Sequence, residues 1–382
     1  MAGVPLRRWQ SEALEVWEQN GRKGIVGAVT GGGKTVFALS AIARVKIETT
    51  LIVVPTIALL EQWWDETAAF FNVRLDDINV IRGRPRMRAG TINLAVMNTA
   101  TKIPPISSNL FLIVDECHKA ASPKLRAVLE LPKHAALGLS ATPERPYDEG
   151  LEEVLVPALG PVLYRYTYRE ALADGVIVPF YLKNIVFELE PDGQREYDKL
   201  TRAIARSIDR LGPEAPESVA LMLRRARVLN LSMARVRLAL RLVARHRGQR
   251  ILIFHESVEA CILIHEVLIE NGVKAGIYHS KMSMRERAEM LTDYRTGNVE
   301  VLVTCRALDE GFNVPETEIG IIAASTATRR QRIQRLGRVL RPAAGKDGAT
   351  IYTLVATKPE IDRLRAEEIE LEGVAEASWV HA

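Results

Sequence analysis

Short apolar runs alternate along this chain with longer segments of mixed apolar and charged residues. The first series of such runs lies at 24–28, 51–55, 78–81, 92–97, 110–114 and 135–139. Continuous apolar runs of this length are the pattern of strands buried on both faces, as in a parallel sheet. Segments between them, such as Trp9–Gln19 and Thr35–Arg44, read as helices. A second series follows at 250–254, 274–278, 299–304, 318–323 and 350–355, again with helical segments between. Strands that alternate with helices predict sheets covered by helices on both sides. The stretch Gln194–Gly248 differs, being rich in Ala, Leu and Arg and free of strand-like runs. It reads as helical, interrupted by a loop at Gly212-Pro213-Glu214-Ala215-Pro216. The expected fold class is therefore α/β, with two tandem lobes of parallel sheet flanked by helices and a helical connector between them. The boundaries fall at 1–165 for the first lobe, 166–247 for the connector and 248–382 for the second lobe.

Composition narrows the class. At 382 residues the chain is long for one core and suits two or three domains. Charged residues make up 26% of it, ordinary for a globular protein. No apolar run approaches the ~20 residues of a membrane span, and the N-terminal residues lack the apolar stretch of a signal peptide. The three cysteines, Cys117, Cys261 and Cys305, stand far apart with no Cys-x-x-Cys pair. Neither a disulfide framework nor a zinc site is suggested, which fits the cytoplasm. The net charge of +4 decides little, but its distribution is uneven. Nine arginines and no acidic residue lie between Ala220 and Arg250. Such a cluster fits either a phosphate-binding surface or the solvated face of a helix.

Four motifs carry chemistry. The first is Ala28-Val29-Thr30-Gly31-Gly32-Gly33-Lys34-Thr35, after a predicted strand and before a predicted helix. In that setting glycines let backbone N–H groups close around phosphates, the lysine reaches the β- and γ-phosphates, and the threonine hydroxyl ligates Mg²⁺. Ala28 stands where the usual pattern has glycine. The second is Asp115-Glu116-Cys117-His118 at the end of the run 110–114. Adjacent carboxylates at the carboxyl edge of a sheet lie where α/β folds bind ligands. Asp115 can hold a metal shell and Glu116 can polarise an attacking water. The third is Ser140-Ala141-Thr142, whose hydroxyls close a strand beside those carboxylates. The fourth, Gln334 through Arg341, sets Arg338 and Arg341 three residues apart, on one face of a helix. Paired guanidiniums suit a phosphate in its transition state.

In this order the four motifs resemble motifs I, II, III and VI of the superfamily 2 helicases, motif II in its DExH form. The resemblance spans nearly the whole chain and implies tandem RecA-like lobes with ATP and Mg²⁺ bound in the cleft between them. It implies Gln10, within Leu6-Arg7-Arg8-Trp9-Gln10, as the adenine contact and Asn313, within Glu310-Gly311-Phe312-Asn313-Val314-Pro315, as the ribose contact. Gln334 would place the γ-phosphate and water, and Arg338 and Arg341 would be the arginine fingers. Nucleic acid would be held near Thr56, Asn98, Thr99, Ser257, His279, Ser280 and Thr304, while Ser140 and Thr142 couple hydrolysis to movement. Leu137-Gly138-Leu139-Ser140-Ala141-Thr142-Pro143-Glu144-Arg145 and Glu310–Pro315 resemble the xeroderma pigmentosum B-like branch and the phage branch-migration helicase. The Arg-Glu-Asp tripeptide of that branch is not found at its expected place, no domain is recognised after motif VI, and the start of the chain leaves no room for a damage-recognition domain. The resemblance implies a DNA motor of 3′-to-5′ polarity. Alternatives are an RNA helicase, a non-hydrolysing nucleotide-gated clamp, and the motor subunit of a restriction or defence complex that cleaves through a partner. An accessory protein is a possible further partner.

Overall fold

A computed structural model describes residues 5–45, 47–83, 85–105, 109–144, 149–279, 281–305, 314, 316–324 and 339–382. The chain divides into two compact units, the first reaching Ala171 and the second beginning at Leu172. Helices of ten residues or more are labelled.

The first unit is built on β1 (Lys23–Ala28), β2 (Thr49–Val54), β3 (Asn79–Val80), β4 (Ile92–Val96), β5 (Leu110–Asp115), β6 (Ala135–Ser140) and β7 (Val162–Tyr166). They pair in parallel in the order β3-β4-β2-β5-β6-β1-β7. Every residue of β2, β5 and β6 is buried. This is why those segments read as unbroken apolar runs: with helices on both faces, no position needs to be polar. The helices α1 (Arg8–Gln19), α2 (Lys34–Arg44) and α3 (Ile57–Phe71) belong to this unit. Helix α1 buries Trp9, Ala13, Leu14 and Trp17, and the Trp17 indole donates to the Ala136 carbonyl of β6.

The second unit is built on β8 (Phe180–Val186), β9 (Ile251–His255), β10 (Ala275–His279), β11 (Val301–Cys305), β12 (Ile319–Ile322), β13 (Ala349–Val355) and β14 (Ala375–His381). These too are all parallel, in the order β10-β11-β9-β12-β13-β8-β14. Its helices are α4 (Pro191–Leu211), α5 (Pro216–Asn230), α6 (Met233–Arg245), α7 (Val258–Glu270), α8 (Met284–Thr296) and α9 (Lys358–Glu370). The two sheets flanked by helices are tandem RecA-like lobes.

The expected connector at 166–247 is corrected by this arrangement. Strand β8 lies inside the second sheet, hydrogen-bonded to both β13 and β14. Helix α6 buries Val236, Ala239, Leu242 and Val243 in the core of the same unit. Helices α4 and α5 pair with each other, joined by the predicted loop and pinned by a 2.8 Å hydroxyl–hydroxyl bond between Ser207 and Ser218, and Leu229 of α5 enters the same core. The arginine cluster is divided likewise. Arg235 is fully buried, and Arg224, Arg227 and Arg237 pair with Glu196, Glu259 and Glu190. The pairing holds the Glu190 carboxyl below the usual range through hydrogen bonds from Ser232 and Ala234 and the charge of Arg237, against the opposing effect of burial.

Candidate functional site: a phosphate loop and paired carboxylates on one sheet edge

Five loops leave the carboxyl edge of the first sheet, and their order along that edge sorts the predicted residues. Asn98 and Thr99 follow β4, Thr56 follows β2, Asp115 and Glu116 follow β5, Ser140 and Thr142 follow β6, and residues 29–35 follow β1. The predicted nucleotide residues thus lie on β5, β6 and β1, and the predicted strand contacts on the adjoining β4 and β2. Side by side, parallel strands bring together what the sequence holds more than a hundred residues apart.

The loop after β1 owes its shape to Gly31 and Gly33, which adopt φ of 84° and 97°. An L side chain is strained there, and a Cβ on Gly32 would stand 2.9 Å from the Val29 carbonyl oxygen. Ala28 remains part of β1, so its methyl group needs no unusual backbone and the departure from glycine costs nothing. The Lys34 ammonium folds back over the loop and donates to the Ala28 carbonyl at 2.9 Å. The buried Thr30 hydroxyl oxygen has no hydrogen-bond partner among the described residues. A ring of turned N–H groups, a lysine and an unsatisfied hydroxyl fit a polyphosphate anion.

Helix α1 braces this loop from behind. The Trp9 indole donates to the Gly32 carbonyl at 3.2 Å and stacks on Tyr166 at 4.9 Å between ring centroids. The Gln10 amide donates to the Gly33 carbonyl at 2.9 Å and accepts from the Arg7 backbone N–H at 2.8 Å. Gln10, predicted as a base contact, is thus 2% exposed and bonded to the phosphate loop itself.

The carboxylates sit in an ordered polar chain. One oxygen of Asp115, Oδ2, accepts the Trp63 indole N–H at 2.9 Å, and the other, Oδ1, accepts the Glu116 backbone N–H at 2.9 Å. Each carboxylate oxygen keeps a further lone pair that can face a hydrated cation. Glu116 has left-handed backbone, φ 48° and ψ 48°. For a glutamate this stores on the order of 1–3 kcal/mol, and strain of this kind clusters at functional sites. The side chain reaches His118, whose Nδ1 lies 3.3 Å from Glu116 Oε2 and 3.0 Å from Ser140 Oγ. Ser140 Oγ in turn accepts the Thr142 backbone N–H at 3.1 Å. The register opposes Asp115 to Leu139, so Ser140 stands one residue beyond and can close this link.

On the second unit, β10, β11 and β9 are neighbours and end at His279, Cys305 and His255. His279 is half-buried, and its Nδ1 is without a partner among the described residues. Ser257 caps α7, its hydroxyl accepting the Ala260 N–H at 3.4 Å. On the first unit Thr56 caps α3 in the same way through Leu59. Thr304 is 1% exposed, and its hydroxyl oxygen has no hydrogen-bond partner among the described residues. Arg341 precedes a turn that ends at Lys346, whose ammonium donates back to the Arg341 carbonyl at 2.9 Å and to that of Val339. Burial pushes the Lys346 ammonium down to about 8, against the charges of Glu318 and Glu316. Ser280, Asn313, Gln334 and Arg338 lie outside the described residues. Sequence reading did not single out His118, or give Trp63 and Lys346 a role. Trp63 acts through a partner distant in the chain and Lys346 through carbonyls a few residues before it, while His118 stands as the last letter of motif II.

Residues 3–145 match the family described as "Type III restriction enzyme, res subunit", and residues 234–343 match the "Helicase conserved C-terminal domain". The "DNA 3'-5' translocase XPB2" of Sulfurisphaera tokodaii is 27% identical over 94% of this chain and 83% of its own length. The "DNA 3'-5' helicase XPB" of Kineococcus radiotolerans is 28% identical over 93% of this chain, which spans only 60% of that relative. Among solved structures, Saccharomyces cerevisiae Dbp5 bound to RNA and ADP BeF3 superposes with a TM-score of 0.62 at 16% identity, over 98% of this chain and 89% of that one. With the two matched domains in order and a phosphate loop and DExH carboxylates on one sheet edge, the chain carries the domains of a superfamily 2 helicase or translocase and is similar over most of its length to the xeroderma pigmentosum B-like branch.

Proposed function

We propose that this protein is an ATP-dependent DNA motor that moves 3′ to 5′, as a translocase or helicase. The observation that carries the ATPase half is the placement of phosphate loop and carboxylates on one edge of the same parallel sheet, after β1 and β5 with β6 between them, with Glu116 held in left-handed backbone beside Asp115. The DNA substrate and its polarity rest on relatives named as DNA 3'-5' translocase and helicase.

In this reading the turned N–H groups of Gly31–Gly33 and the Lys34 ammonium hold the ATP phosphates, and Gln10 and Asn313 contact the nucleoside. Thr35 and Asp115 hold Mg²⁺, which when bound neutralises phosphate charge. Glu116 takes a proton from the attacking water, and His118 steers the carboxylate while linking it to Ser140. Gln334, Arg338 and Arg341 supply water placement and positive charge, so the full set of residues is divided between the two units. Thr56, Asn98, Thr99, Ser257, His279 and Ser280 contact the DNA backbone, which makes binding tolerant of sequence. The place of action is the cytoplasm, and an accessory protein is a further partner. Among the described residues no helix is long and apolar enough to cross a membrane.

A triplex-displacement assay tests the motor directly. ATP-dependent release of a third strand from duplex DNA, with directional preference set by the 3′-to-5′ strand, is the expected result. Release in either direction, or none with ATP hydrolysis intact, contradicts the proposed movement.

A further inference from the structure

Asp115 is the residue on which cation binding is proposed to turn, yet a carboxylate at the end of a strand can rotate. Its setting here limits that rotation. The indole N–H of Trp63 points at Oδ2 from 2.9 Å, while the Glu116 backbone N–H occupies Oδ1. Trp63 is 1% exposed and Asp115 7%, so water competes poorly for either partner. The donor belongs to α3, which follows β2, and the carboxylate it reaches ends the neighbouring β5. That helix starts at Thr56, one of the residues proposed to contact DNA, and Trp63 lies two turns along it. An indole N–H can only donate, so it engages a carboxylate lone pair and fixes which lone pairs remain for a cation.

We propose that Trp63 is a positioning residue that orients the Asp115 carboxylate toward Mg²⁺ and ties it to the helix begun by Thr56. The inference rests on the nucleotide reading given above and deepens it. Residues that orient a metal ligand through a hydrogen bond change metal affinity by about 10- to 100-fold when lost. Removing the indole should therefore act on the Mg²⁺ requirement and leave the affinity for metal-free nucleotide intact.

The test follows a fluorescent, non-hydrolysable ATP analogue binding to wild type, Trp63→Phe, Asp115→Asn and the double variant, with Mg²⁺ titrated and with EDTA. For Trp63→Phe the Mg²⁺ midpoint should rise about tenfold, with affinity in EDTA unchanged and the double variant no worse than Asp115→Asn. A Trp63→Phe protein that melts as wild type and keeps the wild-type Mg²⁺ midpoint overturns the role. So does additivity of the two substitutions. A parallel readout follows the wild-type protein, with Asp115→Asn serving only to assign the signal. With ¹⁵N-labelled tryptophan, one indole N–H signal that is altered in Asp115→Asn should shift when Mg²⁺ joins the bound analogue, and a signal indifferent to Mg²⁺ contradicts the proposal. Wild type that binds no analogue under any condition overturns the nucleotide reading itself, which separates that failure from the failure of Trp63.

Discussion

Glu116 shows how one residue can trade stability for chemistry. Its left-handed backbone costs on the order of 1–3 kcal/mol, and in return its N–H reaches Asp115 Oδ1 while its side chain lies beside His118. Glu116→Gln should lower ATP hydrolysis by about 10²- to 10⁴-fold with ATP binding retained, as read by fluorescent-nucleotide titration. Glu116→Gly should abolish hydrolysis too, yet leave the melting temperature unchanged or raised, because glycine adopts φ 48° freely. A large loss of stability in the glycine variant would show that the backbone there is not strained. Lys346 yields a pH prediction. Burial lowers its folded value to about 8 from the ordinary 10.5. Between those values the unfolded chain binds the extra proton, so this group makes stability rise with pH, and below pH 8 its full penalty is present. Relative to wild type, Lys346→Met should flatten that rise in melts taken from pH 8 upward, and parallel curves for the two proteins would contradict it.

At the scale of elements, what the sequence displayed depended on where the partners lie. The runs that became β2, β5 and β6 were legible because burial on both faces removes polar residues from them. Three strands escaped notice. Strands β7 and β14 are sheet edges and half open to solvent, so they lack an apolar run. Strand β8 hides Asn184 at its centre, its amide N–H donating to Glu368 on α9 at 3.2 Å. Helix α6 misled in the same way, because its arginines looked like one basic face. Arg235 instead enters the core, donating to the Leu354 carbonyl at 2.9 Å and to Glu360 at 3.3 Å, with its guanidinium over the Phe187 ring. Buried ion pairs are costly to break from one side. Glu360→Gln should cost about 3–5 kcal/mol in urea unfolding, more than Arg235→Met, which removes the buried charge altogether. The reverse order would mean that the pair is not what holds α6 to β13 and α9.

For the whole molecule, the site was more legible than the boundaries. The phosphate loop, the carboxylates and the hydroxyls of Ser140 and Thr142 are local motifs, fixed by spacing, and the parallel sheet sets them on one edge. Three things were not legible: the brace of Gln10 against Gly33, the enclosure of Thr304 and the assignment of β8 to the second unit. Each depends on contacts between segments far apart in sequence, which no local pattern encodes. The central claim is that this arrangement hydrolyses ATP in response to DNA. The most direct measurement is ATP hydrolysis in parallel with no nucleic acid, single-stranded DNA, duplex DNA, forked DNA and RNA, with Glu116→Gln as the control. The account predicts strong stimulation by DNA, weaker stimulation by RNA and none in the variant. ATP binding without hydrolysis under every condition would contradict it and mark the protein as a nucleotide-gated clamp.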